Sequence, residues 1–355
     1  MSTTTDSVLR TVGSIGDFTA AEWATLAGTS KEAGGTYNPF LSHAFLSALE
    51  ESGSATEETG WYPQHMRLES AGGELLGAAP VWLKSHSQGE YVFDWSWADA
   101  FERAGGRYYP KALCAVPFTP VTGPRLLTAA NRDPEAVRAA LAGGLKAMTA
   151  QLGLSSAHVN FATDADIAAL EAAGYLMRTD QQFHFLNPGY GSYDDFLATL
   201  ASRKRKALKK ERAGALQNGI EVEWLTGSDL TEAAWDAFFD FYMDTGSRKW
   251  GRPYLTRAFF SLAGERMGGD IVLMMAKRGG RYIAGALNFV GSDTIYGRHW
   301  GCIEQHPFLH FELCYHQAID YAIVNKLAAV EAGAQGEHKL ARGYVPVTTR
   351  SAHWI

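Results

Sequence analysis

Residues 271–300 read IVLMMAKRGGRYIAGALNFVGSDTIYGRHW, and this stretch decides the fold. Three runs rich in aliphatic and aromatic residues, 271–276, 282–290 and 294–300, are separated by Arg278-Gly279-Gly280 and Gly291-Ser292-Asp293. Glycine and aspartate supply the positive-φ corners of tight hairpins, so the stretch predicts a three-stranded antiparallel meander. Upstream, IEVEWL at 220–225 alternates as a strand does. Thr231, with Glu232 behind it, opens a helix whose Trp235, Phe238, Phe239 and Tyr242 recur at helical spacing; a second helix, 256–267, follows Pro253. Downstream, a long helix runs from 307 to about 327 with Pro307 in its first turn. A short strand at 328–332 and an extended segment close the chain.

The first half gives the same order. A strand at 9–14 precedes helices at 20–27 and 42–51, then strands at 66–70, 75–84 and 90–94. After an insertion, 95–127, a helix at 134–152 is capped by Asp133 with Pro134 in its first turn. Strand 157–162, helix 164–173 and strand 175–185 complete the half. The repeat lies in the order of elements and not in the residues. It predicts two α/β (α+β) domains, 1–189 and 190–355, each a mixed, mostly antiparallel sheet flanked by helices, the second opening with a basic helix at about 194–217.

The chain has 355 residues, 46% hydrophobic and 12% aromatic, enough to bury a core and to exclude a disordered chain. Its 38 acidic and 32 basic residues leave a net charge of −6, which argues against a general nucleic-acid coat. That average hides seven bases and one acid between Arg203 and Arg212. Three cysteines without a CxxC pair exclude a disulfide framework and a zinc-thiolate site. The first thirty residues lack a basic start and an apolar core, and no run of about 18 apolar residues occurs, so neither a signal peptide nor a membrane span is expected and the expected location is cytoplasmic.

Several stretches carry a likeness to known proteins: Asn38-Pro39-Phe40-Leu41-Ser42, Glu90-Tyr91-Val92-Phe93-Asp94, Tyr108-Tyr109-Pro110-Lys111, Pro117-Phe118-Thr119-Pro120 with Gly123-Pro124-Arg125, and the tail Gly336-Glu337-His338-Lys339-Leu340-Ala341-Arg342-Gly343-Tyr344. On them, and over nearly its whole length, the chain resembles the bacterial GNAT-type N-acyltransferases of the FemAB-like ("peptidogalycan biosynthesis protein") family. The resemblance implies a tandem duplicated GNAT (acyl-CoA N-acyltransferase) fold. It implies transfer of an acyl or aminoacyl group to a small-molecule or peptide amine by direct attack. No tightly bound cofactor is expected; acyl-CoA or aminoacyl-tRNA is the co-substrate, and the protein is a monomer or homodimer. GNAT enzymes that use acetyl-CoA carry a Gln/Arg-x-x-Gly-x-Gly/Ala loop before the long helix. The junctions here, residues 300–308 and 122–134, do not match it, so both donors stay open.

Glu312, His316 and Asp320 are spaced i, i+4, i+8 beside an apolar face of Phe308, Phe311, Tyr315, Ile319 and Ile323. A carboxylate in such a stripe needs a partner. Glu312 with His316 suits a general base and its orienting group, and equally a satisfied core ion pair. His306 and His310 are spaced like zinc ligands, but HPFLH lacks the glutamate of HExxH and no metal is expected. In the tail, glycines beside His338, Lys339, Arg342 and Gly343 suit a backbone approaching an anion. By the resemblance, Lys339 matches a lysine near the donor carbonyl, with His338 where the family has Phe. Arg205, Lys206, Lys209, Lys210 and Arg212 are expected on the outer face of the basic helix, and Arg203, Arg205, Lys206, Lys209 and Lys210 are expected to grip a phosphate-bearing donor. The alternative is a non-catalytic RNA- or phosphate-binding module using 203–212. In the first half, Asp94 is a candidate base for the acceptor amine, with Tyr91, Tyr109 and Lys111 as substrate-binding candidates.

Overall fold

The structure, a computed structural model, describes residues 7–28, 36–250, 253–333 and 336–355. It divides into two compact units. Unit 1 takes the N-terminal residues, Phe40–Asp180 and Thr348–Ile355; unit 2 takes Thr36–Pro39 and Gln181–Val347. The crossing therefore falls at 180–181 and not at 189–190, inside a strand, and the last eight residues return to unit 1. Thr36–Pro39 belongs with unit 2, where the Tyr37 hydroxyl donates to Asp270 at 2.6 Å.

Unit 1 has an antiparallel sheet of β1 (Ser7–Val12), β3 (His65–Ser70), β4 (Leu75–Ala79) and β7 (Leu127–Thr128), in that order. The run expected as one strand at 75–84 breaks at Pro80, which has no N–H to give a ladder. Its second part, β5 (Val81–Lys84), pairs with β2 (Trp61–Pro63) on one side and β6 (Lys111–Cys114) on the other. β6 is parallel to β8 (Ala157–Val159), and β15 (Val345–Trp354) adds antiparallel to β8. The strand expected at 90–94 is a loop, and the 95–127 insertion holds a helix, Trp95–Arg103, as well as β6. The helix Pro134–Gln151 buries Val137, Leu141 and Leu145 against Met66, Val81 and Val159.

Unit 2 realises the meander quoted above as β11 (Ile271–Arg278), β12 (Arg281–Val290) and β13 (Thr294–Cys302), antiparallel throughout. β10 (Ile220–Leu225) pairs outside β11. β14 (Ala329–Glu331) pairs parallel to β13, and β9 (Leu176–Leu186) pairs antiparallel to β14. The expected basic helix at 194–217 is two helices, Tyr193–Ala198 and Ser202–Ala215, interrupted at 199–201. The long helix starts later than expected, at Leu309, and ends at Val324, with a π-helical turn over Glu312–His316. Its Leu313, Ala318 and Ile319 close the core against Val272, Ile283, Ile295 and Val330.

Candidate functional site

In unit 2, β13 and β14 are paired over three positions, Thr294↔Ala329 to Tyr296↔Glu331, and then part. β13 continues along β12 to Cys302, whereas the chain after Glu331 leaves through Ala332 and Gly333. A cavity of about 120 Å³ lies at this parting, lined by Asn288 of β12, Gly297, Arg298 and Trp300 of β13, His310, Cys314 and Tyr315 of the long helix, and Ala332 and Gly333. Arg298 is the extra residue of a β-bulge: Leu287 pairs with His299 and Asn288 with Gly297. A bulge bends its strand at that point and re-aims the side chains around it.

Lys339 stands at the Gly333 wall. It lies in a 3-10 turn, Glu337–Arg342, is 1% exposed, and donates from Nζ to the Gly333 carbonyl at 2.8 Å. Burial pushes its ammonium down to about 8, and the charge of Arg298 on the same cavity lowers it too. Gly343 ends this turn in the left-handed region (φ 86°), where a Cβ would also lie 2.6 Å from Phe196 Cζ. His338 is exposed, yet its Nε2 bonds the Tyr315 hydroxyl at 2.8 Å, so the turn is tied to a cavity-lining side chain.

Behind the cavity the helix Ser202–Ala215 packs against the π turn. Glu211 is the hub: its carboxylate accepts both arms of the Arg342 guanidinium, at 2.8 and 2.7 Å, and meets His316 Nε2 at 2.8 Å. His316 Nδ1 meets the Tyr193 hydroxyl at 2.6 Å. Burial raises the Glu211 carboxyl, but the bonds from His316 and Arg342 prevail and hold it below the usual range. Arg342 also lies 3.5 Å over the Phe311 ring and donates to the His338 carbonyl. Next to it, Arg212 forks onto Glu312, with its nearest contact at 2.8 Å, and reaches Asp320 at 2.6 Å; Gln317 donates to Glu312 at 2.7 Å. Glu312, His316 and Asp320 thus share the face turned to this helix. Glu312 and His316 do not form the expected base pair: each is bonded to a different residue of 202–215. Arg212 is likewise drawn inward and is not on the outer face.

The remaining basic residues are where the periodicity put them. Arg203, Lys206, Lys209 and Lys210 are exposed and Arg205 is half-buried. Lys209 pairs with Asp194 at 2.8 Å in open solvent, a contact of little energetic weight. Lys210 lines a second cavity, of about 250 Å³, with His306 and Phe308. His306 and His310 go separate ways: His306 bonds Glu304 at 3.0 Å, and His310 stacks edge-on to Trp300.

In unit 1 the structure gathers Asp94, Tyr109 and Lys111, but as a closed cluster. Lys111, 0% exposed, donates to Ser87 (2.8 Å), Glu90 (2.9 Å) and Asp94. Tyr108 donates to Asp94 at 2.7 Å, and Tyr109 bonds Ser87 at 2.7 Å. Burial raises the Asp94 carboxyl, but Lys111 outweighs it and the group sits below its ordinary value, which makes it a poor proton acceptor. Tyr91 is half-buried, in the left-handed region (φ 59°). Arg125 is buried in the loop between β6 and β7 of unit 1. Its guanidinium, 1% exposed, donates to the carbonyls of Val121, Gly123, Pro124 and Asn160.

Sequence reasoning passed over Asn288, Arg298, Cys314 and Tyr315 at the cavity, Glu331 next in the chain to its Ala332 wall, and Glu211 behind it. Glu331 ends β14; burial raises its carboxyl to about 8, against the pull of Arg298. Glu211 had one legible signal, being the single acid in a run of seven bases. The others had none, because the bulge and the parting of two strands are not local properties.

A family model described as FemAB-like, "Peptidogalycan biosysnthesis/recognition", matches residues 14–355. No curated protein matches the chain by sequence. Among solved structures, FemX superposes with a TM-score of 0.57 at 13% identity, over 94% of this chain and 96% of that one. A tandem GNAT protein from the clavulanic acid biosynthesis pathway gives 0.50 at 14% identity, over 98% of each chain. L-PGS from Bacillus licheniformis gives 0.52 at 9% identity, over 86% of this chain and 88% of that one. At such identities the likeness is one of fold: two GNAT-type α/β units with mixed sheets flanked by helices.

Proposed function

The chain belongs to the FemAB-like family, and from that premise we propose that it moves an acyl or aminoacyl group from a phosphate-bearing donor to an amine, at the parting of β13 and β14. The observation that carries the proposal is Lys339, a buried ammonium held on the wall of a cavity by one backbone carbonyl. The amine nitrogen attacks the donor carbonyl carbon and the C–N bond forms. Negative charge builds on the carbonyl oxygen, where the Lys339 ammonium stabilises it in a largely water-excluded setting. Glu331, when ionised, takes the proton of the attacking amine. The carbonyl re-forms as the carrier's sulfur or oxygen leaves and is protonated. The exposed Arg203, Lys206 and Lys210 hold the donor's phosphates, which absorbs the RNA-binding alternative into donor binding.

The test is transfer from labelled acyl-CoA and from aminoacyl-tRNA to a panel of amines, with Lys339→Met beside the wild type. Transfer from one donor class is expected, and loss of one oxyanion partner lowers kcat by roughly 10²–10³-fold. Salt-sensitive RNA binding with no transfer from either donor would favour the binding-module alternative instead.

A further inference from the structure

The turn Glu337–Arg342 that carries Lys339 is entered and left on glycines with positive φ, Gly336 (117°) and Gly343 (86°). Neither has a side chain with which to fix the turn, so its place depends on the bonds its own residues make outward. Lys339 reaches the Gly333 carbonyl, and His338 the Tyr315 hydroxyl. Two further bonds end on the helix Ser202–Ala215: Lys204 Nζ donates to the Leu340 carbonyl at 3.0 Å, and Arg342 forks onto Glu211. Lys204 and Leu340 are exposed, and water competes for their bond. The Arg342 and Glu211 side chains are only 6% and 14% exposed, and a two-armed charged bond is the strong, directional kind. Glu211 is itself fixed, because it also accepts from Nε2 of the buried His316 on the π-helical turn.

We propose that Glu211 is a positioning residue for Lys339: through Arg342 it holds the turn 337–342 against the helix 202–215, and so fixes where the Lys339 ammonium stands on the cavity wall. Its bearing on catalysis rests on the reading that Lys339 acts on the donor carbonyl. Lys339 and Arg342 are three residues apart in a 3-10 turn, where side chains at that spacing lie one above the other. Both are buried, so a shift at Arg342 is passed to Lys339 with no flexible joint between. An oxyanion partner acts only at hydrogen-bond distance, and a misplacement of about 1 Å costs roughly 10²-fold in rate. The same helix carries the exposed Arg203, Lys206 and Lys210, so the residue that places Lys339 and the bases that hold the donor's phosphates share one element. This accounts for the one acid in a run of seven bases: it weakens phosphate binding where it stands, but it is turned inward onto Arg342.

The experiment compares the wild type with Glu211→Gln, Arg342→Lys, Lys339→Met and the double variant Glu211→Gln/Lys339→Met, all as full chains. Glu211→Gln keeps the shape and one acceptor oxygen but not the charge; Arg342→Lys keeps the charge but not the fork. A short pulse of acetic anhydride acetylates accessible amines, and mass spectrometry gives the labelling of Lys339 relative to the exposed Lys206. Loss of a charged bond raises that ratio roughly 10–100-fold in Glu211→Gln, and by a smaller factor in Arg342→Lys. Hydrogen exchange of the β12 amides stays at its wild-type level, which separates release of the turn from unfolding of the unit. Transfer is then measured with the donor class the protein uses. Glu211→Gln lowers kcat roughly 10–100-fold with the donor KM within about 2-fold, and adds less than about 2-fold to the loss in Lys339→Met. A merely structural role would lower kcat alike in both backgrounds. An unchanged labelling ratio in both variants, β12 exchange that rises in step with the labelling, or equal kcat losses with and without Lys339 each overturn the proposal and leave the transfer reading standing. No transfer from either donor class by the wild type overturns that reading, and a labelling ratio that still rises keeps Glu211 as the residue that holds the turn.

Discussion

Replacing Lys339 by methionine is expected to make the protein more stable at neutral pH while slowing its proposed reaction by roughly 10²–10³-fold. Lys339 is buried, and its ammonium is held near 8 instead of 10.5. The unfolded chain keeps this proton until about pH 10.5 and the folded chain releases it near 8, so folding strength rises with pH across that window. At pH 7 this depression opposes folding by about 3 kcal/mol. Methionine fills the same slot without a charge, but leaves the Gly333 carbonyl without its donor, a loss of about 1 kcal/mol. The net gain is about 2 kcal/mol, a rise of roughly 4–8 °C in the melting temperature of a unit this size. At pH 9.5 the penalty in the wild type has shrunk to about 1 kcal/mol, so the advantage vanishes there, and above it the wild type is the more stable protein. Urea unfolding of both proteins from pH 6.5 to 10, followed by a probe in unit 2, reads this directly. A methionine variant less stable than wild type at pH 7, with a parallel pH dependence, would refute the reasoning. It would mean that Lys339 is an ordinary, well-paired cation.

With Glu331 and Lys339 both near 8, the rate of transfer follows a bell centred near pH 8, rising as Glu331 ionises and falling as Lys339 loses its proton. Glu331→Gln removes the rising limb; a flat profile in the wild type would count against both assignments. Arg212→Met destabilises by about 3–5 kcal/mol by stranding the buried Glu312, Glu312→Met by less because Arg212 keeps Asp320, and the double variant costs less than their sum. Denaturant midpoints of the four proteins measure the coupling, and simple additivity would mean the fork contributes nothing. Lys206→Gln with Lys210→Gln lowers the salt slope of RNA minihelix binding by roughly 1.5–2, since each exposed lysine neutralises about one phosphate. Filter binding between 50 and 200 mM salt checks it, and an unchanged slope removes the helix 202–215 from the donor's path.

The meander 271–300, the helix capped by Asp133 and the proline at position 134 were legible because each signal is local: hairpin corners, a period of two or 3.6, a capping side chain. Where local signals met long-range pairing, the pairing prevailed. Glu90–Asp94 alternates like a strand, yet Lys111 binds both carboxylates and holds the segment as a loop. The run 75–84 is continuous in hydropathy, but Pro80 divides it between two sheets. Lys339 was found through the family pattern of the tail, and its depressed ammonium could not be, because burial is a property of everything around it.

Among the site residues, the sequence by itself determined which side chains are ionisable and which share a helix face: Glu312, His316 and Asp320 do lie together. It also placed Arg203, Lys206, Lys209 and Lys210 in solvent, since an amphipathic helix leaves little choice. Only the tertiary structure decided their partners. Arg212 and Glu211, neighbours in one basic run, turn inward to neutralise Glu312, Asp320 and Arg342, because a carboxylate or guanidinium taken out of water must find its opposite there. The cavity is tertiary in the same sense. It exists where two strands stop pairing, and its lining residues Asn288 and Gly333, the second bonded by Lys339 Nζ, come from segments about forty-five residues apart that meet only once the sheet has formed.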